Sequence, residues 1–588
     1  MSGGYMWKIL RVNLSTGELK IEQPGESLYK DYIGGYGIGA RILYSEMKPG
    51  TDPLGPDNIL GFATGPLTGT PAVLGCRYTV FAKSPLTGGW GDANSGGDFG
   101  PAMKFAGFDA VLVSGASSHP VYLLLDSGKA SLEDASHLWG KDSQETEDTL
   151  TDMFGKDARV ACIGPSGEKQ SLISCVVNNG GRAAARSGLG AVMGSKKLKA
   201  IVVKGSLSVP LADSAGLVQL RREALKVLGG PLYDRLRHYG TAGGTSALVA
   251  RDDAPTKNWG GVAPIDFATG IEKFEGDVLL GKQAKKYGCW RCPIACGGIM
   301  KAVEGEYQLE AGVHKPEYET LSAFGSMCLN DNLDSIIVAN DICNRYGLDT
   351  ISAGATVAFA MECYEHGLIS TKDTGGIELT WGNHKAIIAI LEKMARREGF
   401  GDVLADGVKK AAEKIGKGAA DYAMHVGGQE LPMHDPRVLT YTFPVYQVDA
   451  TPGRHMQHDD NRHVCNAAGL CMFGHLVGNA EFVARYLSLV TGWERSPEEL
   501  QKIGERIHNL RHAFNLREGI SSKHHGVPGR VVGHPPKTEG PLTGMSIDVE
   551  GQLAAYIAQK GWDPATFKPT KEKLVELGLD DVAADLWP

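Results

Sequence analysis

Three cysteines stand close together in the segment YGCWRCPIACGG, residues 287–298. Cys289, Cys292 and Cys296 have the spacing C-x2-C-x3-C, which lets three thiolates reach one compact metal centre. This spacing favours an iron–sulfur cluster over zinc, because a zinc site normally brings a second C-x2-C or a close His pair, and neither stands at the usual distance. A fourth ligand is needed, and spacing alone leaves open Cys328, Cys343, Cys363, Cys465 and Cys471.

Glycine-rich stretches before residue 200 carry arginine and asparagine. They read LGFATGPLTGTPAVLGCRYTV, LTGGWGDANSGGDFG and NNGGRAAARSGLGAVMGSK. Glycine lets backbone approach a ligand closely, and an arginine fork can share the anion with backbone N–H groups. We therefore predict a phosphate-bearing cofactor here, although any single stretch can also be an ordinary turn. None of the stretches has the standard ATP or dinucleotide motif.

A near-repeat, N-x-x-G-L-[DC], occurs at residues 344–349 and again at 466–471. In the first copy we expect Gly347 to end one helix and Asp349 to cap the next. Such a junction presents free N–H groups to an anion or to a heterocycle edge. The alternative is two unrelated helix ends. The second copy ends in Cys471, one of the candidate cluster ligands.

The secondary structure predicted to position these residues changes from strands to helices near residue 208. Before it, short β-prone runs alternate with turns, and after it apolar residues recur at helical spacing. We predict an α+β protein with a β-rich domain at 1–207 and two mostly helical domains at 208–425 and 426–588. Ser496, Pro497 and Glu499 form a clear helix start signal.

Bulk composition excludes several classes of protein. The 588 residues include 60 Lys and Arg against 68 Asp and Glu, a net charge of −8, with no dense basic stretch that would favour a nucleic-acid partner. The sequence lacks a signal-peptide pattern and an apolar run long enough to span a membrane. Eleven scattered cysteines argue against a secreted disulfide framework. We expect a soluble, cytoplasmic protein with neither a membrane nor a nucleic-acid partner.

An ordered series of motifs resembles the tungsten-dependent aldehyde ferredoxin oxidoreductases over nearly the whole chain. The series is RVNLSTGELK, GPLTGT, KSPLTG, ANSGG, DASHLWGK, GRAAARSGLGAVMGSKKLKAI, CWRCPIACG, PEYET, GLDTIS, REGFGD and AAGLC. The resemblance implies a β-rich base domain under two helical domains. It also implies a tungsten bis-pterin cofactor between them, with a 4Fe–4S cluster and a Mg²⁺ ion.

The resemblance assigns residues to each cofactor. It makes Cys471 the fourth cluster ligand beside Cys289, Cys292 and Cys296, and it gives the backbone carbonyls of Asn94 and Ala183 to magnesium. The implied pterin-binding residues are Arg77, Asn94, Ser95, Gly96, Arg182, Ala183, Arg186, Asn344, Gly347, Leu348, Asp349, Asn466, Gly469 and Leu470.

The resemblance also implies a reaction. Glu319, in PEYET, would act as general base, His455, in TPGRHMQHDD, would hydrogen-bond the aldehyde oxygen, and Tyr318 would orient the substrate. A small aldehyde would become a carboxylic acid, and electrons would pass through a pterin and the cluster to ferredoxin or to a dedicated iron–sulfur subunit. The alternatives are an aromatic ring reductase of the benzoyl-CoA reductase type and a non-catalytic iron–sulfur carrier.

The sequence departs from the family pattern at three places. Asn344 and Asn466 begin the two pterin motifs where the family usually has Asp, which removes a charge but keeps an acceptor. V-A-N-D at 338–341 replaces an E-x-x-H metal motif that can join two subunits, so we expect no such metal-bridged homodimer and consider a hetero-oligomer. Gln457 stands in place of a lysine. The other cysteines, Cys76 among them, are interpreted as core thiols.

Overall fold

The structure, a computed structural model, describes residues 2–453, 460–474 and 480–588. Twelve strands lie in the N-terminal region, which confirms the predicted α+β class with a β-rich start. They are β1 Ile9–Asn13, β2 Glu18–Glu22, β3 Leu60–Thr64, β4 Tyr78–Lys83, β5 Trp90–Ser95, β6 Ala110–Ser114, β7 Val121–Asp126, β8 Lys129–Asp134, β9 Arg159–Cys162, β10 Val176–Asn178, β11 Arg182–Ala184 and β12 Leu198–Lys204. The helices among them are α1 Glu26–Tyr32, α2 Gly35–Glu46, α3 Phe99–Phe105, α4 Ser143–Phe154, α5 Pro165–Glu168 and α6 Leu189–Ser195.

The two N-terminal sheets have the same topology. The first has the strand order β2-β1-β6-β3-β4-β5, and the second has the order β8-β7-β12-β9-β10-β11, so each strand of one corresponds to the strand six later. In each sheet one pair is parallel, β1 with β6 and β7 with β12. Side chains of both sheets share one hydrophobic cluster. Asn94 on β5 and Ala183 on β11 therefore lie on equivalent edge strands.

The rest of the described chain is mostly helical, with two short hairpins, β13 Gln283–Tyr287 with β14 Gly297–Met300 and β15 His425–Val426 with β16 Gln429–Glu430. Its first helices are α7 Ser214–Val227, α8 Pro231–Tyr239, α9 Thr245–Ala250, α10 Ala263–Asp266, α11 Ala268–Lys273, α12 Gly276–Gly281, α13 Tyr318–Phe324, α14 Leu333–Tyr346, α15 Thr350–Glu365, α16 Thr371–Thr374, α17 His384–Arg396, α18 Phe400–Leu404 and α19 Gly407–Ile415. They are followed by α20 Phe443–Val448, α21 Asn461–Ala468, α22 Ala480–Thr491, α23 Pro497–Arg517, α24 Gly529–Val532, α25 Val549–Lys560, α26 Lys571–Glu576 and α27 Asp580–Leu586.

Two large hydrophobic clusters organise these helices. One contains residues of α13 to α15 and α17 to α19, and the other combines α2 with α21 to α23, α26 and α27. Leu217 and Leu236, on α7 and α8, belong to the second cluster, so these two helices pack with elements at the carboxyl-terminal end of the chain. Of the helices in the described ranges, none combines the length and the apolarity that crossing a membrane requires.

The helix signals in the sequence are confirmed locally. Gly347 ends α14 in the left-handed region, with φ +77°, and the Asp349 side chain accepts backbone N–H groups at the start of α15. Ser496 and Glu499 form a reciprocal capping box at the start of α23, with Pro497 as its first residue. Both kinds of signal work through local hydrogen bonds, which explains why the sequence alone indicates them.

Candidate functional site

The hairpin of β13 and β14 presents the three cysteines of the C-x2-C-x3-C segment. The loop between these strands carries Cys289, Cys292 and Cys296, all partly buried. The Cys292 N–H donates to the Cys289 carbonyl at 3.0 Å, which makes a tight turn between these two predicted ligands. The Trp290 N–H donates to the Gly97 carbonyl at 3.3 Å, so the loop docks on the segment after β5.

Cys471 approaches the same place from the second N-x-x-G-L copy. Its sulfur accepts a hydrogen bond from Arg77 Nη2 at 3.2 Å, and Arg77 Nη1 donates to Asn94 Oδ1 at 3.1 Å. Burial, together with the nearby charges of Cys289 and Cys471, raises the pKa of Cys292 to about 11. Burial likewise raises the pKa of Cys296, to about 12, with added contributions from Cys471 and Cys289. The structure thus brings the four predicted ligands together, with Arg77 beside Cys289 and Cys471.

Cys76 is a fifth thiol at this place, and the sequence analysis missed it. It shares a hydrogen bond with Cys289, which lowers the pKa of Cys289, and the charges of Arg182 and Arg77 lower it further. The same hydrogen bond and burial raise the pKa of Cys76. Its position directly before Arg77 in the sequence was the available signal. Metal ligation by cysteine requires the thiolate, and two guanidinium groups near Cys289 favour that form.

The two N-x-x-G-L copies dock on the two sheets in the same way. Leu470 forms an antiparallel bridge with Gly75, and Leu348 forms one with Ser174. The Gly469 carbonyl accepts the Arg77 N–H at 3.0 Å, and the Gly347 carbonyl accepts the Cys175 N–H at 2.9 Å. The repeated topology of the sheets therefore extends to the helical motifs. Each half of the N-terminal region holds one motif.

Residues of the two motifs also contact the N-terminal region through other hydrogen bonds and an ion pair. Asn466 Oδ1 accepts a hydrogen bond from Asn94 Nδ2 at 3.0 Å, and the Asn344 carbonyl accepts one from Ser143 Oγ at 2.8 Å. Asp349 lies 3.1 Å from Arg186 Nε, and Arg186 also donates to the Glu430 carbonyl. These contacts bring the predicted pterin residues of both regions together.

The buried arginines fit an anionic ligand. Arg77 Nε and both Arg182 Nε and Nη2 are buried and have no hydrogen-bond partner among the residues that the structure describes. Buried guanidinium N–H groups are costly unless they find an acceptor. Arg182 Nη1 lies 3.4 Å from Glu317 Oε1, which leaves the rest of its fork for another acceptor. The donor set matches the phosphate of a pterin cofactor.

The segment at the end of β5 lies very close to the loop that carries Cys289, Cys292 and Cys296. A Cβ atom on Gly96 would lie 2.7 Å from Cys289 Sγ, so a side chain there would collide with the cluster loop. Ser95 Oγ donates to Asn178 Oδ1 at 2.8 Å, and Asn178 Nδ2 donates to the Gly96 carbonyl at 3.0 Å. Ser95 thus holds this turn through Asn178, another residue that the sequence analysis did not single out.

Glu319 lies on α13, directly after Tyr318. Its Oε2 accepts the Met433 N–H at 2.9 Å, and its side chain keeps 31% of its exposure. The Tyr318 hydroxyl donates to the Met433 carbonyl, and the Tyr318 ring is buried against the His434 ring with centroids 4.8 Å apart. Tyr318 therefore fixes the segment at 433–434 beside Glu319, and its substrate-orienting role stays a prediction. His455 lies outside the described residues, as does Gln457.

Three further groups near Glu319 were not singled out from the sequence, namely His434, Asp253 and Glu317. His434 Nε2 is 3.7 Å from Glu319 Oε1, and His434 Nδ1 is 3.2 Å from Asp253 Oδ1. Glu317, two residues before Glu319, is half-buried and contacts Arg182 and Thr241. Its pKa is lowered because the charges of Arg182 and His314 outweigh the effect of burial. The position of Glu317 within PEYET could have indicated a functional role. His434 and Asp253 stand far apart in the sequence, and no local pattern indicates that they meet.

A cluster of Asp460, His463 and His508 has metal-ligand chemistry, with ligand atoms within 4.8 Å of one another. Its atoms already have partners. Lys560 Nζ lies 2.7 Å from Asp460 Oδ2, and Tyr36 Oη lies 2.8 Å from His463 Nδ1. Burial lowers the pKa of His463, and the positive charges of nearby Arg462 and Arg511 lower it further. This arrangement is a buried hydrogen-bond network and disfavours a cation.

Comparisons with known proteins agree with this geometry. The family model for the aldehyde ferredoxin oxidoreductase N-terminal domain matches residues 9–205, and the model for domains 2 and 3 of that family matches residues 221–579. The tungsten-containing aldehyde ferredoxin oxidoreductase of Pyrococcus horikoshii is 39% identical, over 98% of this chain and 99% of that protein. The chain belongs to the aldehyde ferredoxin oxidoreductase family and is an oxidoreductase of that type.

More distant relatives show the breadth of the family. A protein of Pyrococcus furiosus named as the WOR-like subunit of an aliphatic sulfonate oxidoreductase is 29% identical over 99% of this chain and 98% of that one. The active-site complex of benzoyl coenzyme A reductase, solved with 1,5-dienoyl-CoA, contains a chain that superposes with a TM-score of 0.85 at 25% identity, over 100% of this chain and 99% of the other. One fold therefore serves several substrates.

Proposed function

We propose that this protein oxidises small aldehydes to carboxylic acids. Electrons leave through a pterin and a 4Fe–4S cluster to ferredoxin or to a partner iron–sulfur subunit. The 39% identity to a tungsten-containing aldehyde ferredoxin oxidoreductase supports the substrate class. The protein then functions with tungsten bis-pterin, the cluster and Mg²⁺.

The observation that carries this proposal is the meeting of four cysteines and the second N-x-x-G-L motif near Arg77. Arg77 contacts Cys471 and Asn94, and Asn94 contacts Asn466. One side chain thereby connects a cluster ligand with a pterin motif, which supports electron passage between the two cofactors. The Asn94 and Ala183 carbonyls, on equivalent strands, are the proposed magnesium ligands.

The residues near Glu319 support proton chemistry. The bound tungsten bis-pterin supplies the two-electron redox chemistry, while this chain binds the aldehyde and handles protons. Glu319 Oε2 is held by the Met433 N–H, which leaves Oε1 to take the proton of the attacking water. The Tyr318 hydroxyl donates to the Met433 carbonyl and so helps to fix the residue whose N–H holds this carboxylate.

Replacing Glu319 tests the assignment. Glu319→Gln keeps the shape and the Met433 hydrogen bond but cannot accept a proton, so we expect kcat for aldehydes to fall at least about 100-fold. Tungsten and iron content should stay at the wild-type level. Glu365→Gln, an exposed carboxylate on α15 paired with Lys257, is the matched control and should keep its activity. Full activity of Glu319→Gln would overturn its role.

A second candidate function is reduction of an aromatic acyl-CoA. The superposition on a benzoyl coenzyme A reductase chain over the full length supports it. A substrate panel separates the two: aldehydes with a viologen acceptor on one side, and benzoyl-CoA with a low-potential donor on the other. Turnover of aldehydes alone supports the main proposal, and turnover of benzoyl-CoA alone supports the second.

A further inference from the structure

A histidine links the carboxylate of Glu319 to a second, more deeply buried carboxylate. Asp253 follows α9 and keeps 6% of its side-chain exposure, and His434 lies between it and Glu319. His434 Nδ1 is 3.2 Å from Asp253 Oδ1, and Nε2 is 3.7 Å from Glu319 Oε1. Asp253 Oδ2 lies 2.7 Å from Arg251 Nη2, and the Arg251 side chain is 57% exposed. Glu319, His434, Asp253 and Arg251 therefore form a row of groups that extends from the site to the surface.

Several hydrogen bonds hold this row in place. The Asp435 N–H donates to the Asp253 carbonyl at 2.7 Å, and the Tyr446 hydroxyl donates to the His434 carbonyl at 2.9 Å. The Met433 N–H donates to Glu319, as described above. Three consecutive residues, 433–435, are thus tied to α13, to α20 and to the segment after α9. The imidazole is positioned by its backbone as well as by its own partners.

We propose that His434 and Asp253 form a proton relay that carries the proton taken up by Glu319 towards the surface at Arg251. This inference rests on the proposed aldehyde oxidation. That reaction, RCHO + H2O → RCOO⁻ + 3H⁺ + 2e⁻, releases three protons while the two electrons leave to the iron–sulfur acceptor. A partly buried base must discharge its proton before the next turnover, so an exit route is required.

The relay works through two ring atoms. In this relay Nδ1–H donates to Asp253 Oδ1, and Nε2, which lies 3.7 Å from Glu319 Oε1, accepts the proton. The Glu319 carboxyl then gives its proton to Nε2, and its O–H bond breaks as the N–H bond forms. The Nδ1–H bond breaks as an O–H bond forms on Asp253 Oδ1, and Asp253 then releases that proton to solvent beside Arg251, which stays charged. At 3.7 Å, Glu319 and His434 need an approach of about 1 Å or one bridging water for this transfer.

The charges around the ring support this role. Among the described residues the charged and titratable groups that face His434 are Asp253 and Arg251 after α9, Glu319 and Tyr318 on α13, and Tyr446 on α20. Burial opposes the charged ring, yet the Asp253 hydrogen bond and the charges of Glu319 and Asp253 outweigh it and raise the pKa of His434. Burial instead lowers the pKa of His314, His425, His508 and His512 to about 4. His434 is therefore set to accept a proton.

The direct test is chemical rescue in the holoenzyme. His434→Ala should lower kcat for aldehydes about 100-fold, and added imidazole should restore at least 10-fold, because it replaces the missing proton carrier. His119→Ala, an exposed histidine near Asp134, is the control and should neither lose activity nor respond to imidazole. Loss of activity without rescue, at wild-type tungsten and iron content, would assign His434 a structural role and overturn the relay.

Asp253→Asn gives a second test, and its kcat–pH profile does not depend on the alanine variant. Removing the carboxylate charge destabilises the protonated ring, so the acid limb of the kcat–pH profile should move to lower pH. An NMR titration of ¹³C-histidine holoenzyme should show the same fall in the His434 pKa, with the signal assigned by its loss in His434→Ala. The NMR titration requires no aldehyde turnover.

The outcomes separate the two proposals. Wild-type holoenzyme without aldehyde turnover would overturn the proposed function. Wild-type turnover with an unaltered kcat–pH profile in Asp253→Asn would overturn the relay alone. A shifted limb together with imidazole rescue would support both.

Discussion

Arg77 Nη2 lies 3.2 Å from the sulfur of Cys471, although the two residues are 394 positions apart in the chain. This contact joins the residue directly before β4 of the first sheet to the last residue of the second N-x-x-G-L motif. The Arg77 N–H also donates to the Gly469 carbonyl, so both the backbone and the side chain of Arg77 bind this motif. The proposed cluster site is therefore assembled by tertiary contacts between the sheet and the helices.

Replacing Cys471 tests whether it is the fourth cluster ligand. We expect Cys471→Ala to lose the 4Fe–4S EPR signal and to contain clearly less iron per chain, because three thiolates hold a cubane incompletely. Cys363→Ala removes an equally buried thiol from α15 and should keep both. EPR and iron analysis after anaerobic purification make the measurement. A full cluster in Cys471→Ala would mean that another residue, Cys76 first, supplies the ligand.

Gly96→Ala tests the fit between the sheet and the cluster loop. The added Cβ would lie 2.7 Å from Cys289 Sγ, so the loop must shift and iron content should fall. Gly526→Ala, where a Cβ meets nothing within 4 Å, is the matched control. Circular dichroism should show an unchanged fold for both variants. Wild-type iron content in Gly96→Ala would contradict the close contact.

Asn466→Asp restores the charge that the family usually has at this position. The carboxylate still accepts from Asn94, so we expect wild-type tungsten content. The added negative charge should lower the reduction potential of the cluster by about 40 mV, the shift that roughly 1 kcal/mol gives in a one-electron couple. Asn466→Leu removes the acceptor and should lose tungsten. Redox titration by EPR and metal analysis check both, and an unchanged potential would contradict this electrostatic link.

Buried neutral histidines should make stability depend on pH. Burial lowers the pKa of His512 to about 4, and its ring stacks on Trp562 at 4.0 Å. As pH falls from about 6.5 towards 4, the unfolded chain binds a proton that the folded one does not, so up to about 3 kcal/mol of stability is lost. His512→Phe should be less stable at pH 7 but lose less stability on acidification. Denaturation curves at pH 7 and 5 measure this, and equal losses in both proteins would refute it.

The sequence predicted what local or repeated patterns encode. The cluster loop, the capping box at Ser496 and the helix end at Gly347 each depend on residues a few positions apart. The family resemblance placed Cys471 and Arg77, and the structure brings these two together. The domain boundaries and the individual site roles remain predictions. The packing of α7 and α8 with the carboxyl-terminal helices depends on tertiary contacts that no local pattern contains.

Residues that act through long-range contacts were the ones missed. His434 and Asp253 are 181 positions apart, and neither stands in a motif. Cys76 was interpreted as a core thiol, because no sequence pattern distinguishes a buried core cysteine from a cysteine beside a metal centre. The duplicated sheet topology was also hidden, since strand order depends on hydrogen bonding across the chain.

The most direct measurement is anaerobic reduction of benzyl viologen by the purified protein with a panel of aliphatic and aromatic aldehydes, together with tungsten, molybdenum and iron analysis. The proposed function predicts aldehyde-dependent reduction by protein that contains about one tungsten and four irons per chain. Full metal content without turnover of any aldehyde would contradict aldehyde oxidation by this chain and favour the acyl-CoA reaction.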